Sequence, residues 1–105
     1  MRLWLDDIRE PPDTSWIWVQ SVADAKFAMK SLEVTELSFA NELGPSRAPA
    51  SDLVWWMFQR GLWPRDLIAV HSAERDDLDQ IASILCERGP FERVPGTGRF
   101  QHKFA

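Results

Sequence analysis

Asp6 and Asp7 stand side by side ahead of Arg9 and the Pro11-Pro12 pair, Asn41 and Glu42 precede Gly44-Pro45, and His71 is followed by Ser72. Carboxylates gathered at one place repel unless a cation neutralises them, and hard oxygen donors suit Mg²⁺ or Mn²⁺. Asp6, Asp7 and Glu42 are therefore candidate ligands of a divalent ion, with Arg9 as the nearby counter-charge. His71 titrates near neutrality and could act as a general acid or base. Ser72 is its neighbour along a strand, where successive side chains point to opposite faces, so no Ser72–His71 nucleophile pair is expected. Plainer roles stand beside these: an Asp pair before a proline can simply solvate a turn, and a lone His can simply hydrogen-bond.

The elements that must position these residues follow from the pattern. Arg2-Leu3-Trp4-Leu5 is an apolar run without a helix cap, stopped by the Asp pair and the prolines, and reads as a buried first strand. Trp16-Ile17-Trp18-Val19 reads as the second. Ser21 with Asp24 resembles a capping box and opens a helix over about 22–32; Glu36–Ala40 is a short third strand. Ser51 or Asp52 is placed to cap a second helix ended by Gly61, Asp66–His71 is a buried-strand pattern, and a third helix runs from Ala73 to Gly89-Pro90. Phe91–Val94 is a last strand, Pro95–Gly98 a loosely ordered loop, and the alternation of Phe100, His102 and Phe104 a terminal strand with one apolar face. Helices alternating with strands predict right-handed parallel crossovers with helices covering the sheet, in a small doubly wound α/β domain. Ligands of such sheets bind at the carboxyl ends of the strands, which is where Asp6-Asp7, Asn41-Glu42 and His71-Ser72 all fall.

Composition narrows the function. At 105 residues, 45% hydrophobic and 27% charged, the chain has the make-up of one soluble globular domain spanning 1–105. No apolar run is long enough to cross a membrane, and Met1–Asp7 meets two acids before a signal-peptide core could form, so a cytoplasmic location is expected. The single Cys86 excludes an internal disulfide. Net charge is −4, yet residues from about 88 onward carry four basic side chains and one acidic one. That basic tail, with Phe100 and Phe104, has a composition that could contact nucleic acid, against which the net negative charge of the whole chain argues. Six tryptophans are many for so small a core. Trp16, Trp18 and Trp63 are read as anchors of a protein-binding patch, Trp being enriched at interface hot spots.

Leu5-Asp6-Asp7-Ile8-Arg9, then Phe39-Ala40-Asn41-Glu42-Leu43-Gly44, then His71-Ser72-Ala73 resemble, over residues 1 to about 87, the cyclic-phosphate processing receiver-like domains, relatives of response-regulator receivers. The resemblance implies a receiver-like (flavodoxin-like) fold with a mostly parallel sheet. It also implies a metal-assisted reaction on a cyclic phosphate, with acidic residues holding the ion and histidines moving protons. The first motif is well matched. In the second, where the family has Asp-His-Asp, this chain has Ala40, Asn41 and Glu42, so the position of the receiver phosphoacceptor is an alanine; in the third, Glu74 replaces the usual Asn. The expectation is a protein-binding or regulatory module with a degenerate acidic site; the rival is a metal-dependent phosphoesterase using Asp6, Asp7, Glu42 and His71.

Overall fold

The computed structural model describes residues 1–40, 43, 49–72 and 75–103; Asn41, Glu42 and Glu74 lie outside the described residues. The elements are β1 (Arg2–Leu5), β2 (Trp16–Val19), α1 (Val22–Ser31), β3 (Glu36–Ala40), α2 (Ala50–Arg60), β4 (Leu67–Ser72), α3 (Arg75–Ser83), a π-helical turn (Ile84–Arg88), β5 (Phe91–Arg93) and β6 (Arg99–His102). Ser21 caps α1 as its sequence implies, its hydroxyl accepting from the Asp24 N–H at 3.1 Å. The second helix starts earlier than Ser51 or Asp52: Pro49 is its N-cap. Extended Pro49 leads directly into Ala50, which is fully buried, while Asp52 takes a first-turn position that favours a negative charge. Gly61, at φ 62°, ends α2 in the left-handed region that its missing Cβ permits.

One six-stranded sheet has the order β2-β1-β3-β4-β6-β5. The first four strands are mutually parallel, and β6 runs antiparallel between β4 and β5. The basic segment from about 88 is thus tied into the sheet through the β5–β6 hairpin. Its turn is held rather than loose: Val94 O accepts from both the N–H and the hydroxyl of Thr97. Gly98 fits there because a Cβ would lie 2.5 Å from Val70 O, whose own N–H donates to Gly98 O at 2.8 Å.

The strand order decides which face is covered. Connections β2→β3, β3→β4 and β4→β5 all run the same way across the sheet, so right-handed crossovers set α1, α2 and α3 on one face. There the row Leu3, Leu37, Ile68 and Phe100, matched in register across four strands, is fully buried in one core with Leu53 and Met57 of α2. Among the parallel crossovers only β1→β2 runs the other way, and it contains no helix. The expectation of helices covering the sheet therefore fails on the second face, where the next row is Trp4, Ser38, Ala69 and Arg99. A cavity of about 540 Å³ opens against it.

Candidate functional site

Strand order reverses at β1, so the carboxyl ends of β1 and β3 flank the crevice where open α/β sheets bind ligands. Asp6 follows β1 directly and is 3% exposed. Its Oδ1 accepts from the backbone N–H groups of Ile8 at 2.9 Å and Arg9 at 3.0 Å, an Asx turn that folds the chain back sharply ahead of the prolines. Its own N–H donates to Val19 O at 3.1 Å, and its carbonyl accepts from the indole N–H of Trp18 at 2.7 Å.

The second carboxylate oxygen meets His71 from the far end of β4, with Oδ2 and Nε2 2.9 Å apart. A bulge makes this possible. Phe39 pairs with Val70 but Ala40 pairs with Ser72, so His71 is the extra residue of β4. The opposite ring nitrogen, Nδ1, lies 2.8 Å from the hydroxyl of Ser38, itself 3% exposed, in the adjacent strand β3. Trp4 lies flat on the imidazole, 3.8 Å between centroids and 5° between planes, and donates its indole N–H to Arg9 O at 2.9 Å.

Electrostatics fixes the protons. Burial alone would raise the Asp6 carboxyl, but the N–H donors of Arg9 and Ile8 and the bond to His71 outweigh it, and the group titrates below its ordinary 3.8. Burial pulls His71 down; the bond to Asp6 opposes this, the nearby Arg9 charge reinforces it, and the net position is below 6.5. At pH 7 the pair is a carboxylate and a neutral imidazole. An ionised carboxylate only accepts, so Nε2–H donates to Asp6, and Nδ1 is left with a lone pair that accepts the Ser38 hydroxyl proton.

The structure therefore brings together Asp6, Arg9 and His71 of the residues singled out in the sequence. Arg9 touches Asp6 through its backbone rather than as a paired guanidinium. Asp7 is half-buried beside them, its carbonyl 3.5 Å from Gln20 Nε2. Ser72 ends β4, paired through its backbone with Ala40, which is 2% exposed. Trp16 and Trp18 lie in β2 beside the site: Trp16 meets Trp4 edge-on at 5.5 Å and carries the Arg2 guanidinium over its ring at 4.0 Å. Trp63 is at the other side of the molecule, packed edge-on against fully buried Phe91 and against Gly89. Sequence reasoning missed Ser38 and Trp4. The available signal was a polar residue inside the apolar β3 run, in register with Trp4 on β1.

Of the three candidate ligands of a divalent ion, Asp6 and Asp7 are described and Glu42 lies outside the described residues. Asp6 has committed Oδ1 to two N–H donors and Oδ2 to His71, and among the described residues no three of His, Cys, Asp or Glu are grouped as a metal would need. Likewise, among the described residues no helix is long and apolar enough to cross a membrane.

No curated protein and no solved structure matches the chain. A family model does: that of the cyclic-phosphate processing receiver domain, over residues 1–87. It covers β1 through the third helix, ending within the π-helical turn, and so includes all three strand ends that build the site. With that match over most of its length and a mostly parallel six-stranded sheet, the chain belongs to the cyclic-phosphate processing receiver domain family.

Proposed function

We propose that the chain is a receiver-type regulatory module that works by binding another protein and does not pass through an aspartyl phosphate. The observation that carries this reading is the end of β3, where buried Ala40 stands at the phosphoacceptor position while the Asp6 carboxylate is taken up by hydrogen bonds. Protein binding draws support from the surface next to it. Trp18 is 38% exposed and Ile17 36% on edge strand β2, and Ile8 is 80% exposed on the turn that Asp6 holds. A module of this kind suits the cytoplasm, since its one cysteine is left unpaired. Incubation with acetyl phosphate or beryllofluoride, followed by intact mass and backbone chemical shifts, should leave the protein unchanged. A stoichiometric acid-labile adduct would refute the reading.

The rival reading, a metal-dependent phosphoesterase acting on a cyclic phosphate, is favoured by one feature: His71 is neutral beside a cavity that Arg2 and Arg99 also line. Turnover of 2′,3′-cyclic nucleotides in Mg²⁺ or Mn²⁺ that is lost in Asp6→Ala would establish it in place of the first.

A further inference from the structure

Asp6, His71 and Ser38 form a continuous carboxylate–imidazole–hydroxyl chain, with contacts of 2.9 and 2.8 Å through opposite nitrogens of one ring. Each member is held independently of the others. Asp6 is fixed by the two turn N–H groups, His71 by the flat Trp4 ring, and Ser38 by the middle of a strand paired on both sides. Sites on strands with locked neighbours hold reacting groups more closely than sites on loops. Trp4, Ser38 and His71 all line the cavity of about 540 Å³ on the helix-free face, a volume in the range of small-ligand pockets.

We propose that Ser38 is an activated nucleophile, with His71 as its base and Asp6 as the group that sets the imidazole's tautomer, and that the cavity admits short carboxylic esters. This goes beyond the regulatory reading and does not depend on it. It differs from the family's chemistry in that the reacting group is a hydroxyl of this chain's own β3. In the step, Ser38 Oγ bonds to the ester carbonyl carbon while its proton passes to His71 Nδ1. The imidazolium is stabilised through Nε2–H by Asp6, and returns the proton to the leaving alcohol as the ester C–O bond breaks. Water attacks the acyl-serine along the same proton path, releasing the carboxylic acid and restoring Ser38. The logic is that of a serine triad with the two ring nitrogens exchanged.

The probes are a small fluorophosphonate and p-nitrophenyl acetate, used on the whole chain. Wild type should take one phosphonyl group, mapped to Ser38, and should release p-nitrophenol with an initial burst. Ser38→Ala should abolish the adduct. Asp6→Asn is the discriminating variant: its amide oxygen can still accept from Ile8 and Arg9, but its NH₂ now donates to Nε2. The ring must then carry its proton on Nδ1 and loses the acceptor facing Ser38. Labelling should fall by 100-fold or more while circular dichroism and melting stay native-like. No adduct at Ser38 in wild type would overturn the proposal, as would equal labelling in Asp6→Asn; if that variant unfolds, the wild-type result alone decides.

Discussion

The two faces of the sheet are built from the same strands and differ by one residue of register. Leu3, Leu37, Ile68 and Phe100 form one row, and Trp4, Ser38, Ala69 and Arg99 the next. The first row is sealed under α1, α2 and the π-helical turn and contains no polar atom on its side chains. The second has no helix above it among the described residues and carries a hydroxyl, an indole and a guanidinium, with His71 beside them. Parallel sheets are ordinarily buried on both faces. Here the β1–β2 connection, tightened by the Asp6 turn and two prolines, replaces a covering helix. The helix face carries the stability, and the open face is left free for chemistry.

Adjacent residues of β3 offer the largest test of that division. Phe39→Ala on the covered face should cost about 3–5 kcal/mol, for lost burial and the cavity it leaves. Ser38→Ala, next to it, should cost only about 1 kcal/mol, because cavity water can replace the hydroxyl at His71 Nδ1. Urea unfolding of both variants measures the difference. Equal losses would mean that the open face is as much a core as the closed one.

The covered face was largely legible in the sequence and the open face was not, for a physical reason. Apolar runs such as Leu67-Ile68-Ala69-Val70 announce a buried strand by composition alone, and Ser21 announces a helix by one capping bond. The Asp6–His71–Ser38 chain depends on three strands being neighbours in the order β1-β3-β4 and on a bulge that adds one residue to β4. Nothing local to Ser38 encodes either. The direction of β1→β2 likewise decides that one face stays uncovered, and a sequence motif shows only that the connection lacks a helix. Trp63, read from the sequence as an interface anchor, is half-buried between the second helix and β4 and packs on Phe91 against Gly89. Its truncation would disturb the core, whereas Trp18 is the residue beside the site with an exposed ring.

A smaller effect tests how the open face is closed at its far edge. Gly98 lines the cavity and passes so near β4 that a Cβ would sit 2.5 Å from Val70 O. Gly98→Ala should therefore push β6 away from β4 and cost about 1–3 kcal/mol, as overpacking does. The effect on the fold should be local. Hydrogen exchange of the Val70 N–H, which donates to Gly98 O, should accelerate more than that of the β1–β3 amides. Uniform acceleration would show instead that the hairpin and the parallel sheet unfold as one unit.

The smallest effect is the dependence of stability on acid, read at the Asp6–His71 pair of the open face. His71 titrates below 6.5 in the folded protein, chiefly because burial disfavours the imidazolium, so between 6.5 and its folded position the unfolded chain binds a proton that the folded one does not. The stability this contributes is complete above 6.5 and is lost as pH falls through the folded value. Asp6, held below 3.8 by its N–H donors against the opposing effect of burial, acts in the same direction one stage lower: its contribution is present above 3.8 and disappears as pH falls through its folded value. Unfolding free energy should therefore decline in two acid steps, the first beginning near 6.5. His71→Gln should remove the first step and leave the second, while Phe39→Ala should lower the whole curve without changing its shape. If His71→Gln keeps the slope below pH 6.5, some group other than His71 governs it, and the neutral imidazole between Asp6 and Ser38 is not the state that the fold selects.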